Sequence, residues 1–293
     1  NSNTILRSTI TTYAPGASTL YIDSSASNTV TGSYLSNPPG TAVFLNMSLS
    51  TGSKYNTIQQ STMTSNTASY ALLKIQNSTA NLVTGCFMSN PLGIAANILT
   101  NSHYNTISLS TMIGGAASAK SGLEISGSSR NLVTQSYMEG WFGAHLIAAA
   151  RENTITLSTM SSAGHDGIEL VNADSNTVAR CLMRGNNTAL SLSLSNFNNI
   201  GLSTMIGGVD SSGLFVDSSS TNTIMSSYIQ GSTAAFLVGS TGTAIGDSVL
   251  VATNTTGSAL WAYDGSVNLT LTSSTFKGGS QGVGIFLGDG NSG

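Results

Sequence analysis

Charge is scarce in this sequence: Lys, Arg, Asp and Glu together make up 7% of its 293 residues, against 40% apolar ones. So little charge cannot clothe long helices in a solvated polar face. With a net charge of only −3, a chain this apolar is also the opposite of a disordered one. The nine basic residues are scattered along the chain, which argues against nucleic acid as a partner. No run of 18 apolar residues occurs, so no membrane-inserting helix is expected. There are two cysteines, too few for a disulfide framework.

What the sequence has in abundance is repetition. NTITLSTMSSAGHDGIELVNADS, residues 153–175, can be laid along nearly the whole chain. Its first residue recurs as Asn3, Asn28, Asn56, Asn81, Asn105, Asn131, Asn153, Asn176, Asn198 and Asn222, then as Thr243 and Leu269. These are twelve registers at intervals of 21 to 28 residues, the mark of a solenoid. Two positions after each anchor stands an aliphatic residue, from Ile5 to Leu271, and five after it stands Ser or Cys. Seven after it stands Met, Ile, Leu or Phe, and a second apolar alternation such as Leu123-Glu124-Ile125 or Ile168-Glu169-Leu170 closes the repeat. Period-two alternation means strands, and the Gly, Ser and Asn between them mean turns. Each repeat is read as one coil of two or three short strands, and twelve coils at about 4.8 Å make a rod of roughly 55 to 60 Å.

The helix-favouring stretch AHLIAAARE, residues 144–152, sits in this register and is read as strand and turn. Cys86 and Cys181 occupy the same inward column four coils apart, about 19 Å, beyond the reach of a disulfide. Two separate buried thiols are expected in place of the column's serine. Six positions after the anchor, small and large residues alternate from Thr9 and Tyr34 to Thr204 and Tyr228, which points to an ancestral double coil of about 48 residues.

The segments NTIQQSTM, NTITLSTM and GIEL resemble the turns of right-handed parallel β-helices of the pectin-lyase-like superfold. The resemblance covers almost the whole chain and implies an all-β, right-handed parallel β-helix of about twelve coils. A single domain over residues 1–293 is expected, and the residues at its ends suggest no terminal caps. For function it is open, since that superfold holds polysaccharide lyases, hydrolases, phage tailspikes and adhesins. The signatures of its pectinases, N-T-D, Asp-Asp and R-x-K, are absent; Gly164-His165-Asp166-Gly167 is a loose echo of the hydrolase G-H-G.

Two groups of side chains stand out against this scaffold. Of the 24 charged or His residues, eleven fall between positions 120 and 174. Among them Glu124, His145 and Glu169 take the middle, outward place of the closing strand in three consecutive coils. Two carboxylates about 9.6 Å apart with an imidazole between them suit acid–base work on a glycosidic bond, or a divalent metal, or simply a solvated strip of cross-strand pairs. His165 and Asp166 are candidates for the same chemistry. Further along, the same column becomes Phe215, Phe236, Trp261 and Phe286, with Tyr21 and Phe44 near the other end. Large rings facing outward mark a contact surface, for a second copy of the chain or for sugar rings, unless the register near Trp261 slips and turns some of them inward.

No cofactor is expected. The first residues already belong to a repeat, so a signal peptide is expected either to have been removed or to lie outside this piece of a longer chain, and the last, GIFLGDGNSG, lie where the next anchor is due. Uncapped ends expose strand edges, so the expectation is a segment of a longer β-helix or a subunit that associates end to end or laterally in an extracellular or cell-surface fibre. Its role would be structural or adhesive, with a carbohydrate-active enzyme or tailspike as the competing reading.

Overall fold

Each anchor begins a coil that the chain completes in three short strands. The computed structural model describes residues 2–46 and 52–288. Within them lie 36 strands and no helix, distributed over three twelve-stranded sheets. Each strand pairs in parallel with its equivalents one coil before and after, so neighbours within a sheet are always three strands apart in chain order. We call these sheets A, B and C; the coil winds right-handed, as parallel crossovers do.

The registers follow the sequence columns. In sheet A, β1 (Thr4–Leu6) and β4 (Thr29–Thr31) pair Ile5 with Val30, and the aliphatic column continues inward to Leu271. In sheet B, Met63, Met88, Met112, Met138, Met160, Met183 and Met205 stack in the core, all fully buried. Unbranched thioethers suit this place because they adapt to gaps between the branched residues of sheets A and C. In sheet C, the strands of the inner coils bury the two apolar residues that flank the outward one, as Leu123 and Ile125 do in β15 (Ser121–Ser126). Parallel strands buried on one face pack this core along the whole axis.

Polar columns close the corners. Asparagines stack as a ladder: the backbone N–H and side-chain Nδ2 of each donate to Oδ1 of the next, from Asn3 and Asn28 through Asn131 and Asn153 to Asn198 and Asn222. The serine column works likewise, with Ser136 N donating to Ser158 Oγ and Ser158 Oγ donating back to Thr156 O. Both cysteines sit in that column, buried and unbridged, and their thiols keep the same carbonyl contact. AHLIAAARE is strand up to Ile147 and turn thereafter.

The anchor-proximal bends require a backbone conformation that the sequence advertises poorly. The residue four after each anchor has positive φ in all twelve coils, yet only Gly32 and Gly85 are glycines; the rest include Arg7, Gln60, Leu109 and Leu157. The alternating column of sheet B faces outward. The hydroxyls of Tyr137 and Tyr228 bond to Glu139 and Gln230 of their own strands, and that of Tyr34 bonds to Thr64 on the next coil. Of the C-terminal segment expected to end uncapped, residues 289–293 lie outside the described residues.

Candidate functional site

The middle residues of sheet C alternate away from the core and so form one outward column along the rod. In register it reads Tyr21, Phe44, Lys74, Asn97, Glu124, His145, Glu169, Ser191, Phe215, Phe236, Trp261, Phe286. Both groups singled out in the sequence therefore lie on one line, separated by Ser191.

In the central part, β18 (Phe142–Ile147) lays His145 between Glu124 of β15 and Glu169 of β21 (Ile168–Val171). His145 Nε2 is 3.1 Å from Glu169 Oε2, and Nδ1 is 3.9 Å from Glu124 Oε2. The three side chains are less than one-fifth exposed. Glu124 Oε1 also accepts from Asn97 Nδ2 at 2.9 Å. Burial pushes the Glu124 carboxyl up from its ordinary value, against the opposing pull of His145, Asn97 and Lys120.

The turn ahead of β21 brings His165 and Asp166 to the same place. Ser162 Oγ donates to Trp141 O and accepts from the backbone N–H of Gly164 and His165, which pins the turn. Gly164 is required there, because a Cβ would stand 2.1 Å from Trp141 Cε3. Over this floor Trp141 stacks on His165 with centroids 5.8 Å apart, while Phe142 meets His165 edge-on and stacks on His145 at 4.5 Å. Asp166 is buried; its Oδ1 accepts from Thr188 N at 2.9 Å and Asn187 Nδ2 at 3.0 Å, and its Oδ2 lies 3.3 Å from His165 Nδ1. Burial raises the Asp166 carboxyl, and the neighbouring His165 works in the opposite direction. One donor atom from each of His165, Asp166 and Glu169 falls within 4.8 Å of the others.

The five polar candidates are thus gathered into one cluster, with Glu169 as the shared member. Spacing alone tied Glu124, His145 and Glu169 together, but not the turn residues, whose direction depends on the bend after β20 (Thr159–Ser162). The aromatic wall of Trp141 and Phe142 and the Asn97 link went unread: an aromatic pair beside glycines and a lone Asn in an Asn-rich chain carry little signal.

At the far end the rings point outward, and the slipped register does not occur. Phe215 and Phe236 stack at 5.7 Å, Phe236 and Trp261 lie 6.3 Å apart, and Trp261 and Phe286 lie 4.7 Å apart. Tyr263, on the same outer face, joins Phe236 at 5.5 Å. Phe236, Trp261, Tyr263, Phe286 and Gly288 line an open, largely apolar depression. At the other end Tyr21 and Phe44 pair at 5.3 Å, and Lys74 Nζ lies 4.5 Å from the Phe44 ring.

Solved structures share this architecture at low identity, which speaks for the fold alone. The Streptococcus pneumoniae surface protein and adhesin PfbA has a TM-score of 0.69 at 10% identity, covering 95% of this chain and 91% of that one. The A-module of the Azotobacter vinelandii mannuronan C-5 epimerase AlgE4 has a TM-score of 0.57 at 11% identity, covering 87% and 88%. The Dettilon tailspike protein has a TM-score of 0.59 at 12% identity; 89% of this chain is covered, but only 62% of the tailspike's length. No curated protein matches the sequence. A family model described as periplasmic copper-binding protein (NosD) matches residues 1–160 and 143–292, and the chain belongs to that family.

Proposed function

We propose that this chain is a structural or adhesive β-solenoid acting outside the cytoplasm, and that the outward column of sheet C is its contact face for glycan. It associates with further copies end to end or laterally. The observation that carries the reading is the ladder of Phe215, Phe236, Trp261 and Phe286, in register on four successive coils and open to solvent at Trp261 and Phe286. Rings set one coil apart by a rigid sheet offer apolar surface to the C–H faces of successive sugars, at no cost in loop ordering. A surface adhesin, a mannuronan C-5 epimerase module and a tailspike share this fold.

The test is glycan-array screening of the full chain, followed by calorimetry on the best ligand with Trp261→Ala and Phe236→Ala. We expect each change to weaken binding at least tenfold. Absence of binding across acidic and neutral polysaccharides, or binding that survives both changes, would sink the reading.

A second reading has its own observation. Glu124, its carboxyl pushed up by burial, stands one coil from His145 and two coils from Glu169, an arrangement suited to a general acid and a general base on a polysaccharide. Turnover of any glycan that Glu169→Gln abolishes would put this enzyme in place of the structural role.

The family description adds copper. An imidazole with carboxylates is a donor set that copper accepts, and His165 Nδ1 is buried without a hydrogen-bond partner. The residues of the central cluster fit such an ion.

A further inference from the structure

We infer that His165, Asp166 and Glu169 form a site for a divalent transition-metal ion, with His145 as the residue that positions Glu169. The inference deepens the copper fit above and does not depend on the aromatic ladder or on glycan.

Geometry comes first. Donor atoms around a four- or six-coordinate ion with bonds of about 2.0–2.2 Å stand roughly 3–3.5 Å apart. His165 Nδ1 and Asp166 Oδ2 are already 3.3 Å apart, and one oxygen of Glu169 lies within 4.8 Å of both.

The second argument is an unpaid polar atom. His165 Nδ1 is buried and makes no hydrogen bond, although Asp166 is beside it. An imidazole nitrogen left so costs stability, and a cation is among the groups that remove the cost. His103, by comparison, has its Nδ1 taken by the backbone N–H and hydroxyl of Ser129.

Thirdly, every ligand is held from behind. Trp141 and Phe142 clamp the His165 ring, and Ser162 pins its backbone. Thr188 N and Asn187 Nδ2 occupy Asp166 Oδ1, which leaves Oδ2 for the site. His145 Nε2 stands on Glu169 Oε2, the outer-shell contact that fixes a ligating carboxylate. The His165 side chain is 37% exposed while its Nδ1 is buried, so the ring edge reaches solvent and the ligating atom faces inward.

One imidazole and two carboxylates select against calcium and magnesium, which take oxygen alone, and favour zinc or copper; of these, Cu²⁺ binds the tighter. The probe is therefore CuSO4 or ZnCl2 added to the full chain after chelator dialysis, followed by calorimetry and, for Cu²⁺, electron paramagnetic resonance. We expect one ion per chain and coupling to a single imidazole nitrogen. His165→Ala weakens Cu²⁺ binding at least a hundredfold and removes that coupling; Glu169→Gln weakens it at least tenfold. His145→Ala costs about tenfold and keeps the coupling, as a positioning residue should. His103→Ala and Trp261→Ala change nothing. Binding by His165→Ala equal to the wild type overturns the site, as does a stoichiometry of zero. Coupling to two nitrogens that falls to one in His145→Ala overturns the positioning role. Thermal melts establish that each variant folds; should His165→Ala not fold, Glu169→Gln carries the test, and undiminished binding by it overturns the site. Because no glycan is present in these titrations, failure here leaves the glycan reading standing, and failure of Trp261→Ala to weaken glycan binding leaves this one.

Discussion

Asn131 shows how much of the rod depends on single buried amides. Its Oδ1 accepts from the backbone N–H and Nδ2 of Asn105, while its Nδ2 donates to Ser102 O and to Asn153 Oδ1. Asn131→Ala strands these partners away from water, and each unpaired buried group costs about 1–3 kcal/mol. We expect a loss of roughly 2–5 kcal/mol with the largest gain in hydrogen exchange at the Asn105 and Asn131 coils, read by urea unfolding and mass spectrometry. Thr243, where the ladder ends, already carries a buried hydroxyl without a partner. The thiols give a second residue-scale prediction. Burial pushes Cys181 up to about 11 and raises Cys86 as well, so little thiolate exists at pH 8. Neither cysteine should react with a disulfide reagent in the native protein at that pH, and both should in urea; fast native labelling would contradict the burial.

At the scale of the element, the bend between sheets A and B is where sequence and backbone disagree. Leu157 holds a φ of 52° with half its surface exposed, a left-handed conformation that costs an ordinary residue about 1–2 kcal/mol. Glycine serves the same position at Gly32 and Gly85. Leu157→Gly should therefore stabilise the protein by about 0.5–1 kcal/mol, the relief of strain being partly offset by the looser unfolded chain. A fall in the melting temperature would show that Leu157 packs more than it strains. These bends were illegible beforehand because Arg, Gln and Leu announce no turn; the strands between them were legible because alternation needs only side-chain polarity. The turn holding His165 and Asp166 lies at another corner, between sheets B and C, and has none of these positive-φ residues, but its direction is announced no better, so its convergence on Glu169 was equally hidden.

For the molecule as a whole, each coil contacts its neighbours through three parallel strands and the same polar ladders, so stability is close to a sum over coils. Excising residues 199–222 joins Asn198 to Thr223, keeps every column in register and removes one coil. We expect the shortened chain to fold with an unchanged β-sheet circular dichroism and a melting temperature within a few degrees of the parent. Excising residues 199–211 instead, about half a coil, shifts the inward columns and should abolish cooperative unfolding. If both deletions behave alike, register does not govern this rod.

The sequence by itself determined the coil, its period, the inward stripes, the isolated thiols and the outward line from Tyr21 to Phe286. All of these follow from periodicity, since stacking turns an interval along the chain into a column in space. Only the tertiary structure decided that His165 and Asp166 meet Glu169 under Trp141, and that Asn97 reaches Glu124. Those contacts depend on the direction of a turn and on side-chain torsions. Neither is periodic, and neither leaves a mark that residue types alone can carry.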